Sequence, residues 1–445
     1  MSISARQAAL NALIRVERDA SYSNITLDGV LSENDISSRD KAFATKLFYG
    51  VIEKKQLLDY NLSRLCDKPL NKLDIAVLGI LRMGLYQLFF TESVHSAAAV
   101  DESVKLCKAN ECVSASGFVN GVLRSAAKLK EPVLPKIQKG KNKYWSIKYS
   151  CPEPIIKLWR QSYGDEMTVG ILSALEGRPP LCARINTIKT NIGELQKSFE
   201  ESGIKAEKSE ILSDCLLLED TGAVETLPQY KQGLFHIQDA SSQICCQLLS
   251  PEKGDTVLDV CSAPGGKSFT LAQLMKNDGT LISCDLYESR LRLVKSGAER
   301  LGIDIIKTVA CDSAKYNEFP MADRVLCDVP CSGLGIIRRK PELRYKSDMG
   351  LDTLPDLQYL ILCNCSRFVK SGGLLVYSTC TLNPQENSGT ARRFLLKHGD
   401  FEEYPIRLPQ GVSRGIDERE NELTLFPHSN NGNTDGFFIS IFRKK

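Results

Sequence analysis

The sequence predicts a multidomain protein with an all-α N-terminal domain, a small α+β unit and a C-terminal α/β domain. Three observations support this prediction. Apolar residues recur at helical spacing through residues 4–130, short helices and strands mix in 149–230, and strands alternate regularly with helices after residue 240. Regular alternation is typical of a doubly wound, mainly parallel sheet. A chain of 445 residues with 42% hydrophobic residues can bury separate cores of this kind.

The helical domain is expected over 1–135, a basic linker over 136–148, the small α+β unit over 149–230 and the α/β domain over 231–445. The N-terminal helices are expected over 5–18, 40–65, 71–90, 96–108 and 116–128. His95 lies between two of them, where a surface or capping role is expected. The basic segment contains several prolines and lysines without an acid, which suits either a solvated tether or a contact with a nucleic-acid backbone.

In the α+β unit, helices are expected over 154–163, 167–174 and 192–202, and strands over 182–186 and 215–218. In the α/β domain, strands are expected over 257–260, 281–285, 307–310, 324–328 and 374–378. The helices between and beside them are expected over 241–249, 268–275, 288–301 and 352–369. Ligands of such sheets bind beyond the carboxyl ends of the strands. The residues that follow each strand are therefore the candidates for a functional site.

Charge and cysteine usage narrow the class of protein. Residues 1–150 carry 22 Lys and Arg against 15 Asp and Glu, so a basic face for nucleic acid and an ordinary solvated helical surface both remain open. The most apolar stretch, 73–90, contains Asp74 and Arg82, which favours a buried helix over a membrane span. The first twenty residues lack a signal-peptide pattern, so we expect a cytoplasmic protein. Sixteen cysteines without a Cys-x-x-Cys motif indicate reduced thiols that mostly fill cores.

The stretch 258–268 is predicted to run from a strand through a glycine turn into a helix. Such a turn presents backbone N–H groups and a helix N-terminus to a ligand. Its spacing is neither that of a dinucleotide-binding turn nor that of a phosphate-binding P-loop, which disfavours both ligand classes. Asp285 follows Gly266 by 19 residues, close to the offset at which an acid meets a ribose hydroxyl in nucleotide-binding α/β folds.

Acids and two cysteines recur at the ends of the later strands. Asp312 and Asp328 follow two strands, Cys331 lies in a turn of small residues, and Cys380 follows the last predicted strand. Both cysteines are expected to be exposed to one crevice, where a thiolate can act as a nucleophile. The sequence has no histidine near either cysteine, which argues against a Cys-His hydrolase.

Three ordered motifs resemble those of the S-adenosylmethionine-dependent RNA cytosine-C5 methyltransferases of the Nop2/Sun type. They are Asp259-x-Cys261-x-Ala263-Pro264-Gly265-Gly266-Lys267, Asp328-x-Pro330-Cys331-Ser332-Gly333, and Tyr377-Ser378-Thr379-Cys380-Thr381 followed by Glu386-Asn387. The N-terminal helices, including residues 5–9 and 118–124, resemble the NusB-like RNA-binding domain. The domain order is similar to that of family members that methylate bacterial 16S ribosomal RNA, and the resemblance covers nearly the whole chain.

This resemblance implies a Rossmann-like domain that transfers a methyl group from S-adenosyl-L-methionine to C5 of one cytosine, in a single-stranded loop of 16S ribosomal RNA. It assigns the attack on C6 to Cys380 and the release of the product to Cys331. It also implies that Asp285 holds the ribose and Asp312 the adenine. The methionine end is assigned to the turn that consists of Cys261, Ser262, Ala263, Pro264, Gly265, Gly266 and Lys267.

Asp328 is the candidate that reads the base, because a carboxyl group can pair with the exocyclic amine of cytosine. A role in cofactor binding is also compatible with its position. We expect a monomer without a metal or a membrane partner. Three rivals stay open: a non-catalytic RNA-binding protein, a nicotinamide-dependent oxidoreductase, which the turn spacing disfavours, and a DNA cytosine methyltransferase with Cys331 as its nucleophile.

Overall fold

The computed structural model describes residues 3–19, 23–177, 179–346, 349–415 and 418–445. The chain divides into two compact units. The first comprises Met1–Leu172 together with Lys340–Ser347, and the second comprises Ser173–Arg339 together with Asp348–Lys445. A short segment from the C-terminal half of the sequence therefore belongs to the helical unit. The sequence-based boundaries at 135, 148 and 230 stay predictions.

The first unit is helical in the part that the structure describes. Its helices are α1 (Ala5–Asp19), α2 (Ser23–Ser32), α3 (Ser38–Glu53), α4 (Lys55–Leu65), α5 (Ile75–Phe90), α6 (Ser96–Ala109), α7 (Ser116–Ala127), α8 (Lys141–Tyr149) and α9 (Glu153–Ala174), the last of which continues to the edge of the second unit. Three helices differ from the prediction here: α2 and α8 were not predicted, and the single helix expected over 40–65 is divided into α3 and α4. Lys54 departs from helical geometry at φ −106° and ψ 12°, although no Gly or Pro marks the break.

The charges in the apolar stretch 73–90 have local partners. Asp74 caps α5 by accepting hydrogen bonds from the backbone N–H groups of Ala76 and Val77. The buried Arg82 makes a two-point ion pair with Asp59, at 2.7 Å and 2.8 Å. The predicted buried helix is thus confirmed. Within the described ranges, the structure contains no helix with the length and apolar character that crossing a bilayer requires.

Within the basic segment 136–148, residues 141–149 form α8, a helix that was not predicted, and the role of the segment as a linker stays a prediction. Trp145 and Tyr149 of α8 are buried, and Arg160 stacks its guanidinium over the Trp145 ring at 5.2 Å. The burial of these aromatic rings stabilises α8, although the segment is rich in lysine. His95 caps α6 by accepting a hydrogen bond from the Ala97 backbone N–H, which confirms the expected capping role.

The second unit begins with a small four-stranded antiparallel sheet. Its elements are β1 (Leu181–Ile185), α10 (Ile192–Glu201), β2 (Lys205–Lys208), β3 (Cys215–Glu219), α11 (Pro228–Lys231) and β4 (Phe235–Ile237), in the strand order β2-β3-β1-β4. The α+β prediction is confirmed, and its strands 182–186 and 215–218 correspond to β1 and β3. The short strands β2 and β4 were missed.

The larger sheet has eight strands. The elements of this part are α12 (Ala240–Leu249), β5 (Thr256–Asp259), α13 (Gly266–Leu274), β6 (Thr280–Asp285), α14 (Glu288–Leu301), β7 (Ile306–Ala310), β8 (Ala322–Asp328), α15 (Leu354–Ser366), β9 (Val369–Thr379), α16 (Thr390–Lys397), β10 (Phe401–Glu403), β11 (Glu422–Leu425) and β12 (Phe437–Lys444). The strand order is β10-β12-β9-β8-β5-β6-β7, with β11 also paired to β12. The strands β5 to β9 are parallel, as predicted.

The antiparallel strands β10, β11 and β12 were not predicted. An antiparallel strand needs no crossover helix, so the helix–strand alternation that revealed the parallel strands does not apply to them. Two of the three are only three or four residues long. The strand β12 nevertheless decides the architecture of the site, because it pairs with β9 along its length.

Candidate active site

The strand order reverses between β5 and β8, and ligands of open α/β sheets bind beyond the carboxyl ends of the strands at such a point. In the turn after β5, Gly265 has φ +111°, and a Cβ there would lie 2.5 Å from the Phe269 ring. A residue other than glycine is therefore excluded by both conformation and space. The next residue, Gly266, begins α13, and no described side chain caps this helix. The N–H groups of its first turn are available to a ligand.

The other residues of this turn were predicted to hold the methionine end. Cys261 is half-buried, Ser262 and Ala263 are buried, and Pro264 is exposed. The Ser262 backbone N–H donates to the Cys284 carbonyl at 2.7 Å, which ties the turn to β6. The turn is thus held rigidly by the neighbouring strand.

Asp259, the last residue of β5, is fully buried beside the turn. Its Oδ2 accepts a hydrogen bond of 2.6 Å from the Ser268 hydroxyl, whereas its Oδ1 has no partner among the described residues. Burial raises the pKa of Asp259 to about 7, although the Ser268 hydroxyl opposes that rise. An orphaned carboxyl oxygen in this position fits a ligand that brings its own donor.

Asp285 ends β6 and is buried at the neighbouring strand end. Arg290 makes an ion pair with its carboxylate at 2.9 Å and also donates to the Ala263 carbonyl at 2.7 Å. This arginine therefore joins the turn after β5 to the acid after β6. Leu286 and Tyr287, which follow Asp285, expose more than half of their side chains and offer an apolar surface.

Asp312 lies two residues beyond β7 and is partly exposed. Its Oδ1 accepts a hydrogen bond from the Ala314 backbone N–H at 3.0 Å, and Lys315 is 3.6 Å from its other oxygen. Asp259, Asp285 and Asp312 thus lie at or just beyond the carboxyl ends of three adjacent parallel strands, as the sequence predicted.

Asp328 is held between two partners at the end of β8. The Lys267 ammonium donates to its Oδ2 at 2.7 Å, and the Ser378 hydroxyl donates to its Oδ1 at 2.8 Å. The register of β8 with β9 pairs Asp328 with Ser378, which explains the second contact. Burial lowers the pKa of Lys267, but the Asp328 carboxylate more than offsets this, so the pKa is raised and the ammonium persists.

The two predicted cysteines come together. The Sγ atoms of Cys331 and Cys380 are 3.2 Å apart, although 49 positions separate them in the sequence. Each side chain is only partly exposed. The contact with Cys380 is the largest cause that raises the pKa of Cys331, and burial adds to it. Both the contact and the burial therefore favour the protonated form of the Cys331 thiol. The structure describes all sixteen cysteines as free, and ten of them are buried.

Glu386 forms the support of the Cys331 turn. It is completely buried, and its carboxylate accepts hydrogen bonds from the Ser332 backbone N–H at 2.9 Å, from Gln358 at 2.8 Å and from Asn383 at 3.0 Å. Gln358 also donates to the Pro330 carbonyl at 2.9 Å. The residues on both sides of Cys331 are thus fixed by one carboxylate and its partners.

Replacing Glu386 by glutamine is expected to lower kcat about 10- to 100-fold. The amide retains the shape but turns an N–H donor toward a group that already donates, which costs about 2 kcal/mol. Steady-state kinetics should show the loss in kcat, with cofactor affinity within about twofold of the parent. Glu299→Gln, an exposed change on α14, is the matched control. Parental kinetics in the Glu386 variant would refute its role in supporting the turn.

Sequence reasoning missed three residues of this arrangement. Glu386 was identified only as part of a motif, and Arg290 and Gln358 were not considered. Arg290 follows Asp285 by five positions, so it lies within the first turn of α14, where a basic residue can return to the strand end. The sequence contains no local signal for Gln358, because Pro330 and Glu386, to which it donates, lie 28 positions away in opposite directions.

Three family descriptions match the chain in order. Residues 3–128 match the NusB family, 151–225 match the ferredoxin-like domain of RsmF/B-like methyltransferases, and 246–443 match 16S rRNA methyltransferase RsmB/F. A Bacillus subtilis (strain 168) protein named "Probable ribosomal RNA small subunit methyltransferase B" is 37% identical over 449 residues, covering 99% of each chain.

Solved structures agree with this assignment of the fold. The crystal structure of PH0851 has a TM-score of 0.83 with 26% identity and covers 100% of both chains. The structure of NSun6 from Pyrococcus horikoshii with SFG has a TM-score of 0.60 and 23% identity, and it covers 66% of this chain and 98% of its own. The expected helical, α+β and α/β domains are confirmed.

Proposed function

This chain belongs to the 16S rRNA methyltransferase RsmB/F family, and we propose that it methylates C5 of one cytosine through a covalent bond between Cys380 and C6 of the base. It is a ribosomal RNA small subunit methyltransferase with a NusB domain. The observation that most supports the covalent route is the 3.2 Å separation of the Cys331 and Cys380 Sγ atoms.

S-adenosyl-L-methionine fits the residues around the glycine turn, and it would supply an electrophilic methyl group. The uncapped N-terminus of α13 suits the carboxylate of its methionine end, and the orphaned Asp259 Oδ1 suits the amino group. We assign the ribose hydroxyls to Asp285 and the adenine amine to Asp312, with the exposed Leu286 and Tyr287 beside them. The name of the NSun6 structure, which includes SFG, accords with a ligand in this fold.

We assign a separate chemical role to each of the two cysteines. Cytosine C5 is a poor nucleophile, and addition of the Cys380 thiolate to C6 places carbanion character at C5, which then accepts the methyl group. Loss of the C5 proton and breakage of the S–C6 bond restore the aromatic ring and the free thiol. Cys331 has a raised pKa and adjoins Cys380, so we assign to it the proton exchange that accompanies release.

Asp328 orients the base. Its carboxylate is held by Lys267 and Ser378, so the remaining lone pairs point in fixed directions. A carboxylate can accept a hydrogen bond from the exocyclic amine of cytosine, which uracil lacks. Asp328 also contacts Lys267, so the residue that orients the base is bonded directly to the cofactor turn. The base must leave its stack to reach the thiols, so a single-stranded loop of the rRNA is the proposed target.

The remaining domains are assigned to RNA binding. We propose that residues 1–135 and 149–230 contact 16S rRNA, that 136–148 connect them, and that 231–445 carry the chemistry. The excess of basic residues within 1–150 supports a phosphate contact there. We propose a monomer that acts in the cytoplasm, where 16S rRNA is found, without a metal ion.

Bisulfite sequencing of 16S rRNA tests this function. In cells that lack this protein, one cytosine that resists bisulfite in parental cells should become convertible, and re-expression of the parental chain should restore its resistance. An unchanged conversion pattern at every cytosine would refute the proposal. Calorimetric titration with S-adenosyl-L-methionine distinguishes the non-catalytic rival, and methyl transfer to duplex DNA distinguishes the DNA methyltransferase.

A further inference from the structure

We propose that Arg338 and Asp435 form a positioning clamp that holds the Cys331 loop against the strand end that carries Cys380. Neither residue touches Cys331 or Cys380 in the structure, so both act through the backbone. The clamp sets the approach of the two thiols, and its catalytic consequence rests on the function proposed above. Four sets of contacts within the second unit support it.

The first contact joins three backbone segments. The Gly335 N–H donates to the Cys380 carbonyl at 3.0 Å, and the Gly436 N–H donates to the Gly335 carbonyl at 2.9 Å. A Cβ on Gly335 would lie 1.9 Å from the Gly436 carbonyl oxygen and 2.9 Å from that of Cys380. The loop that carries Cys331 can approach the Cys380 backbone this closely only because both glycines lack side chains.

The second set of contacts belongs to Arg338, which is buried three residues beyond Gly335. Its Nε donates to Asp435 Oδ1 at 2.6 Å, and its two terminal nitrogens donate to the carbonyls of Thr434 at 2.6 Å and Gly432 at 2.9 Å. One planar guanidinium thus binds three acceptors of the loop that precedes β12. A lysine ammonium cannot reproduce this fork of donors.

Asp435 provides the third set. Its Oδ1 accepts from Arg338 and its Oδ2 from Arg339, and its backbone carbonyl accepts from the Ser241 hydroxyl at 3.0 Å. Arg339 also donates to Asp239 Oδ2 at 3.0 Å. Asp435 is therefore the point where the Cys331 loop, α12 and β12 are joined. The carboxylate is fully buried, so its two arginine partners are needed to neutralise it.

The fourth set of contacts is the pairing of β12 with β9. The strand β12 pairs with β9 so that Phe438 faces Thr379 and Ile439 faces Ser378. Asp435 and Gly436 consequently lie just beyond the end of β9, next to Cys380. The path from Cys331 runs along its loop to Gly335 and Arg338, then through Asp435 and the strand β12 to Cys380. A displacement near 1 Å between reacting groups can lower a rate about 100-fold. We therefore expect the clamp to affect the turnover number.

The test uses the full-length chain and two variants, Arg338→Lys and Asp435→Glu, which retain the charge but change the reach. The first readout is the rate at which diamide joins Cys331 to Cys380, measured by mass spectrometry of the linked peptide. In that reaction two thiols lose their hydrogens to form one disulfide, and diamide is reduced to the hydrazine. We expect the rate to fall about 10-fold in both variants.

The second readout is methyl transfer to 16S rRNA. We expect kcat to fall about 10- to 100-fold, while the dissociation constant of S-adenosyl-L-methionine stays within twofold. Arg443→Lys alters an exposed ion pair of the same strand β12 and should leave both readouts unchanged. If one variant fails to fold, as judged by its thermal transition, the other decides the question.

Unchanged crosslinking in a folded variant would overturn the clamp whatever its activity. A parental chain that methylates no RNA, while both variants crosslink more slowly than it does, would instead contradict the proposed function and leave the clamp supported. Slower crosslinking with parental kcat would show that the clamp positions the thiols but does not affect turnover, and it would overturn the catalytic role of the clamp.

Discussion

Cys380→Ala is expected to form no covalent adduct with target RNA, whereas Cys331→Ala is expected to accumulate one. Without the Cys380 thiol no group adds to C6, so turnover should fall by at least about 10⁴-fold. Without Cys331 the addition and the methyl transfer proceed, but the proton exchange that accompanies release of Cys380 fails. Denaturing gel electrophoresis of the protein with labelled RNA and S-adenosyl-L-methionine separates the two outcomes.

The remaining cysteines provide the control for this experiment. Cys363 is partly exposed on α15, away from the strand ends, so Cys363→Ala should retain parental turnover without a persistent adduct. Activity that survives in Cys380→Ala would overturn the assignment. An adduct that forms on Cys331 in that variant would favour the arrangement of the DNA enzymes, in which the cysteine of the Pro-Cys motif attacks.

Asp328→Asn is expected to give the second largest effect. The variant replaces one carboxylate oxygen by an NH2 donor and so weakens acceptance from the cytosine amine, which costs about 1–3 kcal/mol of discrimination and corresponds to a roughly 10- to 100-fold lower kcat/KM. It also leaves the Lys267 ammonium, whose side chain is only 13% exposed, without its carboxylate. The exposed fraction of Asp328 is 24%, so the penalty for breaking the pair should be about 2 kcal/mol, less than for a fully buried pair.

A double-mutant cycle separates recognition from stability. Lys267→Met in the Asp328→Asn background removes the ammonium that has lost its carboxylate partner, and it should recover part of the lost free energy of unfolding. We expect a coupling energy between the two substitutions of at least about 1 kcal/mol. Denaturant unfolding gives these free energies, and methyl transfer gives kcat/KM. Asp356→Asn, at an exposed ion pair with Arg393, is the neutral control. Strictly additive unfolding energies would contradict the coupling.

Much of the fold and of the candidate site was predictable because the signals are local. Asp259, Asp285 and Asp328 each end a short buried strand, and Asp312 follows one by two residues. The strand periodicity and the glycine turn lie within a dozen residues of the side chains they position. The predictions failed where no local signal exists, as at the break after Glu53 in the helix expected over 40–65.

The helix within the basic segment 136–148 was missed for a related reason. Its lysines dominate the composition, but the conformation of α8 is decided by the burial of Trp145 and Tyr149. The partner of Trp145 is Arg160, which lies fifteen positions away on another helix. Composition averages over the segment and therefore conceals the two residues that fold it.

Local patterns in the chain were enough to predict the classes of chemistry: a cofactor turn after β5, acids at successive strand ends, and two cysteines that follow strands. How these parts meet depends on the folded core. The 3.2 Å approach of the two thiols depends on the pairing of β8 with β9, and the clamp joins residues 97 positions apart through β12. Such contacts are fixed by strand register and by the burial of Glu386 and Asp435 with their donors. These are properties of the assembled core, and no short stretch of sequence contains them.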